Sequence, residues 1–327
     1  MSIKSELLVT LADGEFVSGA ALADRLGVSR NAVWKAVKSL ETEGFVIESS
    51  AKGYRISSEN NRLAPELISS SLKTKHIGRE LYVYDEVEST NSTAKALATE
   101  GAPHGTAVVS DMQSAGRGRL GRSFVSPSGK GIYVSITVRP EFSLEYSSLI
   151  TTAAAVAGAE AVESLSGHDV GIKWVNDLYM NGRKICGILT EASLGLEMRS
   201  LDYAIIGIGI NIRSVGDSFD DELKKRATSI EDESGIKVDR NALCAELFNR
   251  IEKYYSTIES RGFIAEYRRR ELLTGNDITA TVGGVVIEGH AEGIDDNANL
   301  IVKIPDGEIR HIGSGEAQLC RVKKDTP

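Results

Sequence analysis

Apolar residues at Ile3, Leu7, Leu8 and Leu11 recur at helical spacing, with the polar positions between them on the opposite face. Ser18 stands where it can cap a second helix, whose Ala21, Leu22 and Leu26 face one way before Gly27 stops it. Ser29 opens a third helix on which Val33, Val37 and Leu40 form the buried stripe. Its other face carries Arg30, Asn31, Trp34, Lys35 and Lys38, and no acidic residue occurs from Ser29 to Leu40. Two short apolar runs follow, Phe45-Val-Ile and Tyr54-Arg-Ile, joined across Ser49-Ser-Ala-Lys-Gly53 as a hairpin with Lys52 near its tip. A basic helix face alone fits a solvated surface. Helix, tight turn, basic-faced helix and basic-tipped hairpin together predict a winged helix-turn-helix that binds DNA. Lysines and arginines would neutralise phosphates, while Arg30 and Asn31 reach base edges in a major groove.

From about residue 80 to 270 the pattern alternates between strand-like and helical segments. Leu81-Tyr-Val-Tyr, Thr106-Ala-Val-Val, Ile132 to Val138, Val170 to Trp174, Lys184 to Thr190 and Ala204 to Ile210 read as strands. Thr93 to Glu100, Ser147 to Leu165 and Asn241 to Ile258 read as helices, so an α+β domain with a mixed sheet is expected. Beyond Asp277, short β-rich runs broken by Gly283-Gly284, Asp295-Asp-Asn and Pro305-Asp-Gly307 predict a small barrel. The resulting division is 1–64, 65–270 and 271–327, with a short polar linker from Ser57 to Arg62.

Composition narrows the class. A hydrophobic share of 41% and a charged share of 26% describe an ordinary globular chain and exclude disordered or collagenous ones. The net charge of −8 argues against a uniformly nucleic-acid-coated surface, leaving any DNA contact to a local patch. No stretch reaches the roughly 18 apolar residues of a membrane helix, and Met1-Ser-Ile-Lys-Ser-Glu lacks the apolar core of a signal peptide. A cytoplasmic protein without membrane partners is therefore expected. Cys186, Cys244 and Cys320 are widely separated and lack zinc-type spacing, so they read as reduced structural thiols. The histidines at 76, 104, 168, 290 and 311 share no spacing with acids or serines that would suggest a triad.

The chemistry concentrates in Gln113-Ser-Ala-Gly-Arg-Gly-Arg-Leu-Gly-Arg-Ser-Phe-Val-Ser-Pro127. Gly116, Gly118 and Gly121 match the spacing of a dinucleotide-binding loop, but that loop should open a helix and this one leads into the strand-like Gly131-Ile-Tyr-Val-Ser-Ile. Gly129-Lys130-Gly131 also fails as a phosphate-binding Walker loop. What remains is Arg117, Arg119 and Arg122 spaced by glycines, a loop whose forked donors suit an anionic ligand.

Gly116-Arg-Gly-Arg-Leu-Gly-Arg122 resembles the biotinyl-adenylate loop of the biotin protein ligases, in particular those that double as repressors of the biotin operon. Glu88-Ser-Thr-Asn91, Lys173-Trp-Val-Asn-Asp177, Arg183-Lys-Ile-Cys-Gly-Ile-Leu189 and Gly207-Ile-Gly-Ile-Asn211 follow in that family's order, so the resemblance spans nearly the whole chain. Phe124 stands where Trp is common and Val175 where Pro is usual. The resemblance implies synthesis of biotinyl-5′-AMP from biotin and ATP with Mg2+, and transfer of biotin to a lysine of the biotin carboxyl carrier protein. It also implies repression at operator DNA by a homodimer loaded with the adenylate, and a C-terminal barrel of SH3 type.

Ser89, Thr90, Asn91 and Gln113 then supply neutral hydrogen-bond partners for a ureido ring, joined in biotin binding by Arg117, Gly118, Arg119 and Lys184. Arg117, Arg119, Arg122, Phe124, Lys173, Asn176, Asp177 and Asn211 are expected at ATP or the adenylate, with Asp177 a candidate for placing magnesium and no tightly bound metal. Lys184 and Arg119 are the expected catalytic cations, because two anions must meet during adenylation. Two rival readings are a ligand-sensing transcription factor without ligase activity and a lipoate-type ligase. Retention of Lys184 and all three loop arginines weighs against the first, and the DNA-binding unit together with the Arg-Gly-Arg loop against the second.

Overall fold

The structure, a computed structural model, describes residues 2–194 and 201–320. Residues 321–327 of the expected C-terminal unit lie outside the described residues.

The N-terminal unit contains α1 (Ile3–Leu11), α2 (Gly19–Leu26), α3 (Arg30–Thr42), β1 (Ile47–Ser50) and β2 (Gly53–Ile56). Its start and stop signals act as the sequence suggests. Ser18 and Ser29 accept hydrogen bonds from the amides of Ala21 and Ala32, and Gly27 ends α2 in the left-handed conformation at φ 63°. Leu7, Leu11, Leu22, Val33, Val37 and Leu40 form its core. The hairpin gains a bridge from Val17 to Tyr54, and Gly53 is needed there, because a Cβ would meet the Val17 carbonyl oxygen at 2.0 Å.

α4 (Pro65–Ser70) follows, with Leu67 packed in the N-terminal core and Ile68 in the central one. The linker before it is polar, as expected, and is tied to the central unit. Asn61 Nδ2 donates to the Gly129 carbonyl at 3.0 Å, and Arg62 pairs with Asp85 at 2.8 Å.

The central unit runs β3 (Leu81–Val87), α5 (Thr90–Thr99), β4 (Ala107–Gln113), β5 (Gly131–Val138), α6 (Leu149–Ser166), β6 (Gly171–Lys173), β7 (Asp177–Met180), β8 (Arg183–Leu194) and β9 (Leu201–Asn211). Helices α7 (Asp221–Lys224), α8 (Ile230–Ser234), α9 (Arg240–Tyr255) and α10 (Ile264–Arg270) complete it. The seven strands form one mixed sheet, ordered β3-β4-β5-β9-β8-β7-β6, in which only β3 and β4 pair in parallel. β7 is an addition to the sequence reading, whose strands end at Trp174 and resume at Lys184. Its alternating burial is only four residues long, too short for periodicity to separate it from a turn. α5 begins at Thr90 rather than Thr93, and α9 ends at Tyr255 rather than Ile258.

Alternation along the strands separates the two sheet faces. Ile132, Val134 and Ile136 of β5 and Ile206, Ile208 and Ile210 of β9 share one core with α6 and α9. α6 is buried around nearly its whole circumference, which accounts for its alanine-rich sequence. The opposite face, carrying Ser135, Gly207 and Gly209, is turned to α5 and the arginine loop.

The C-terminal unit contains β10 (Asp277–Val282), β11 (Val285–Ile294), β12 (Leu300–Lys303), β13 (Ile309–Ile312) and β14 (Glu316–Leu319). Where a small barrel is expected they form one antiparallel five-stranded sheet, in the order β13-β12-β11-β10-β14, with no ladder joining the two outer strands among the described residues.

Candidate active site

Glycines shape the site first. A Cβ on Gly207 would lie 2.1 Å from Asn91 Oδ1, and one on Gly209 would lie 2.5 Å from the Phe124 ring. At Gly187 on the neighbouring strand it would approach Lys184 Nζ at 3.1 Å and Phe124 at 3.3 Å. Sheet packing alone does not explain these glycines; they open a trough into which side chains from α5, β8 and the loop descend. Phe124 lies over that trough and meets Tyr133 edge-on, with centroids 6.3 Å apart.

At one end of the trough is a polar cradle. The Thr90 amide and Oγ1 lie 2.9 and 3.1 Å from Gln113 Oε1, while Gln113 Nε2 donates to Ser126 Oγ at 2.8 Å. Ser135 Oγ sits 2.8 Å from Thr90 Oγ1 and 2.6 Å from Asn91 Oδ1, and Asn91 Nδ2 donates to Glu191 Oε2 at 2.6 Å. Ser89 occupies the N-cap position of α5, yet its side chain makes no capping bond, so helix capping does not account for the Glu88-Ser-Thr-Asn91 segment.

At the other end are the cations. Lys184 Nζ pairs with Asp177 Oδ1 at 2.7 Å, both half-buried. Arg119 donates to Asn176 Oδ1 and to the Gly315 carbonyl, each at 2.9 Å, which ties the loop to the C-terminal sheet. Arg122 reaches Glu316 of that sheet at 2.7 Å, and Arg117 donates to Ser92 Oγ at 2.9 Å. Gly118 pairs with Arg122 across the loop, its amide donating to the Arg122 carbonyl at 2.7 Å. Asn176 Nδ2 donates to the Ile188 carbonyl at 2.7 Å and Asn211 Nδ2 to the Thr228 carbonyl at 2.9 Å, so both amides are rigidly held. Burial lowers the Lys173 pKa, partly offset by Asp177, and its ammonium lies 5.8 Å from the Tyr179 ring centroid. Asp177 is already engaged by Lys184, and no cluster of three or more metal-ligating side chains exists among the described residues.

The expected residues thus gather on one sheet face, while Arg122 and Asn211 stand at its margins. Sequence reasoning missed Ser135, Glu191 and Ser126. The signal for Ser135 was a hydroxyl interrupting the apolar run of β5, and for Glu191 an acid two positions beyond Leu189 on the same face as Gly187.

The other expected surface lies on the N-terminal unit. Arg30, Asn31, Trp34, Lys35, Lys38 and Lys52 are all exposed, Trp34 at 49%. Lys38 pairs with Glu41 at 2.6 Å, the first residue beyond the stretch free of acids. Among the described residues, no helix is long and apolar enough to cross a membrane.

Comparison with known proteins agrees along the chain. Residues 83–211 match the biotin/lipoate A/B protein ligase family, 4–55 an HTH domain, and 275–319 the biotin protein ligase C-terminal domain. The bifunctional ligase/repressor BirA of Bacillus spizizenii is 38% identical over 95% of this chain and 96% of its own. That of Escherichia coli is 29% identical over 99% of both. A biotin protein ligase from Aquifex aeolicus, solved with biotin and ATP, is 29% identical and superposes with a TM-score of 0.64 over 74% of this chain and 99% of its own. With ligase, DNA-binding and C-terminal units in this order and such identity over nearly its full length, the chain belongs to the biotin protein ligase family, among its bifunctional ligase/repressors.

Proposed function

We propose that this chain condenses biotin with ATP, taken as its magnesium complex, to biotinyl-5′-AMP, and then transfers biotin to a lysine of the biotin carboxyl carrier protein. The observation that carries the reading is the layout of one sheet face. A neutral polar cradle of Thr90, Asn91, Gln113 and Ser135 leads along a glycine trough to Lys184 and Arg119. The cradle suits a ureido ring, which needs donors and acceptors without a competing charge. A lipoyl dithiolane has no use for them.

Adenylation brings a carboxylate to the α-phosphorus of ATP and expels pyrophosphate. Lys184, aligned by Asp177, and Arg119, aligned by Asn176, offset the repulsion and follow the charge growing on phosphorus. Arg117 and Gly118 line the biotin carboxylate. Phe124 and Lys173 serve adenine and phosphate, and Arg122 and Asn211 close the margin. No covalent enzyme intermediate is needed, because the mixed anhydride is itself the activated acyl donor. A docked loop shields it from water until the acceptor amine attacks.

The same chain represses transcription in the cytoplasm. Arg30, Asn31, Trp34, Lys35, Lys38 and Lys52 contact operator DNA, and two adenylate-loaded copies bind a symmetric site as a homodimer. The functional division follows 1–64, 65–270 and 271–327. Biotin-dependent exchange of label between pyrophosphate and ATP tests the enzyme. Exchange with biotin and none with lipoate is expected, and no exchange with either overturns the ligase reading.

A further inference from the structure

Among the side chains that converge on the cradle, Glu191 is the only carboxylate within reach of Asn91 among the described residues, and the reaction outlined above leaves it without a role. It projects from β8, is about a third exposed at 35%, and its Oε2 sits 2.6 Å from Asn91 Nδ2 and 3.6 Å from Arg117 Nη2. We infer that Glu191 is a positioning residue for biotin recognition, because it fixes the amide orientation of Asn91 and through it the donor and acceptor polarity of the Asn91–Ser135 end of the cradle. The inference rests on the reading that this cradle receives the ureido ring.

The chain of reasoning is one of hydrogen-bond directions. A carboxylate accepts and does not donate, so the Asn91 group facing Glu191 must be its NH2. Asn91 Oδ1 then faces Ser135, whose hydroxyl has one proton and must give it to this oxygen, 2.6 Å away. Thr90 Oγ1, 2.8 Å from Ser135 Oγ, is a second acceptor that this one proton does not also serve. The Thr90 hydroxyl itself donates to Gln113 Oε1 at 3.1 Å. Gln113 is held with Oε1 toward Thr90 and Nε2 toward Ser126, so both amides of the cradle have an assigned direction.

Turning the Asn91 amide over would set Oδ1 against the Glu191 carboxylate, and the free energy of a hydrogen bond to a charged group opposes it. The amide lies close against the sheet, since Asn91 Oδ1 stands 2.1 Å from where a Cβ on Gly207 would lie, a space that glycine leaves free. A ligand with a fixed pattern of one carbonyl and two N–H groups is recognised best by a cradle whose pattern is equally fixed.

Glu191→Gln is the informative change, because a glutamine can either donate to or accept from Asn91 and so permits both amide orientations. Ser135→Ala removes the other end of the lock. Biotin affinity by titration calorimetry, the adenylation rate at saturating biotin and the thermal midpoint are measured on the full chain for both variants and the double variant. Glu191→Gln should weaken biotin roughly tenfold or more, the size of one charge-assisted hydrogen bond, with adenylation at saturation changed less than about threefold and the midpoint preserved. Since both side chains act through one amide, the double variant should be little worse than the poorer single one. Wild-type affinity in Glu191→Gln, equal loss in binding and rate, or additive losses in the double variant would each overturn the inference. Failure of the unaltered protein to bind biotin would instead remove the reading beneath it.

Discussion

The two faces of the central sheet are built from the same strands and do opposite work. On β9, Ile206, Ile208 and Ile210 point into the core shared with α6 and α9, whereas Gly207 and Gly209, their immediate neighbours, face Asn91 and Phe124. One face is filled to exclude water and the other is emptied of side chains so that polar groups and a ring can enter. Stability is therefore concentrated on the apolar face and recognition on the glycine face, although the residues responsible are adjacent in sequence. Substitutions one position apart should give different kinds of damage.

The largest effect is expected on the apolar face. Ile208→Ala removes fully enclosed methyl groups and should cost about 2–5 kcal/mol, read as a lower denaturant midpoint, while ligand-saturated protein keeps its adenylation rate. On the other side of the sheet, Lys184→Gln should slow adenylation by roughly a hundredfold and weaken biotin binding much less, because its charge serves the transition state. Equal losses in binding and rate would assign Lys184 to ground-state binding. Arg119→Ala severs the contacts to Asn176 and to the Gly315 carbonyl but little buried surface, so folding should be unaffected. Single-turnover kinetics should show the adenylate released faster by about tenfold, the size of one or two hydrogen bonds. Smallest is Lys35→Ala on the exposed face of α3, which should weaken DNA binding evenly across sequences and lower the salt slope by about one, leaving biotin transfer intact.

The apolar face was also the more legible of the two. Periodicity located α6, β5 and β9 to within a few residues, because burial imposes a strict repeat on the sequence. The N-terminal unit was as clear, since Ser18, Gly27 and Ser29 mark helix ends by local chemistry. The site itself was legible through the glycine and arginine spacing and through family resemblance, which named its residues but not their partners. Glu191 lies 100 residues from Asn91, and Arg119 lies 196 from Gly315, so no local pattern announces either contact. Ser135 was hidden by its place inside a strand whose other side is apolar.

The division between the faces is tested most directly by biotin affinity in Gly207→Ala, measured by titration calorimetry on the full chain. The added methyl group takes the place of Asn91 Oδ1, a side-chain tip that can move without disturbing the apolar core. Affinity should fall by roughly a hundredfold, as expected when two or more hydrogen bonds of the cradle are lost, while the thermal midpoint shifts by only a few degrees. Wild-type affinity in Gly207→Ala would contradict the assignment of recognition to the glycine face.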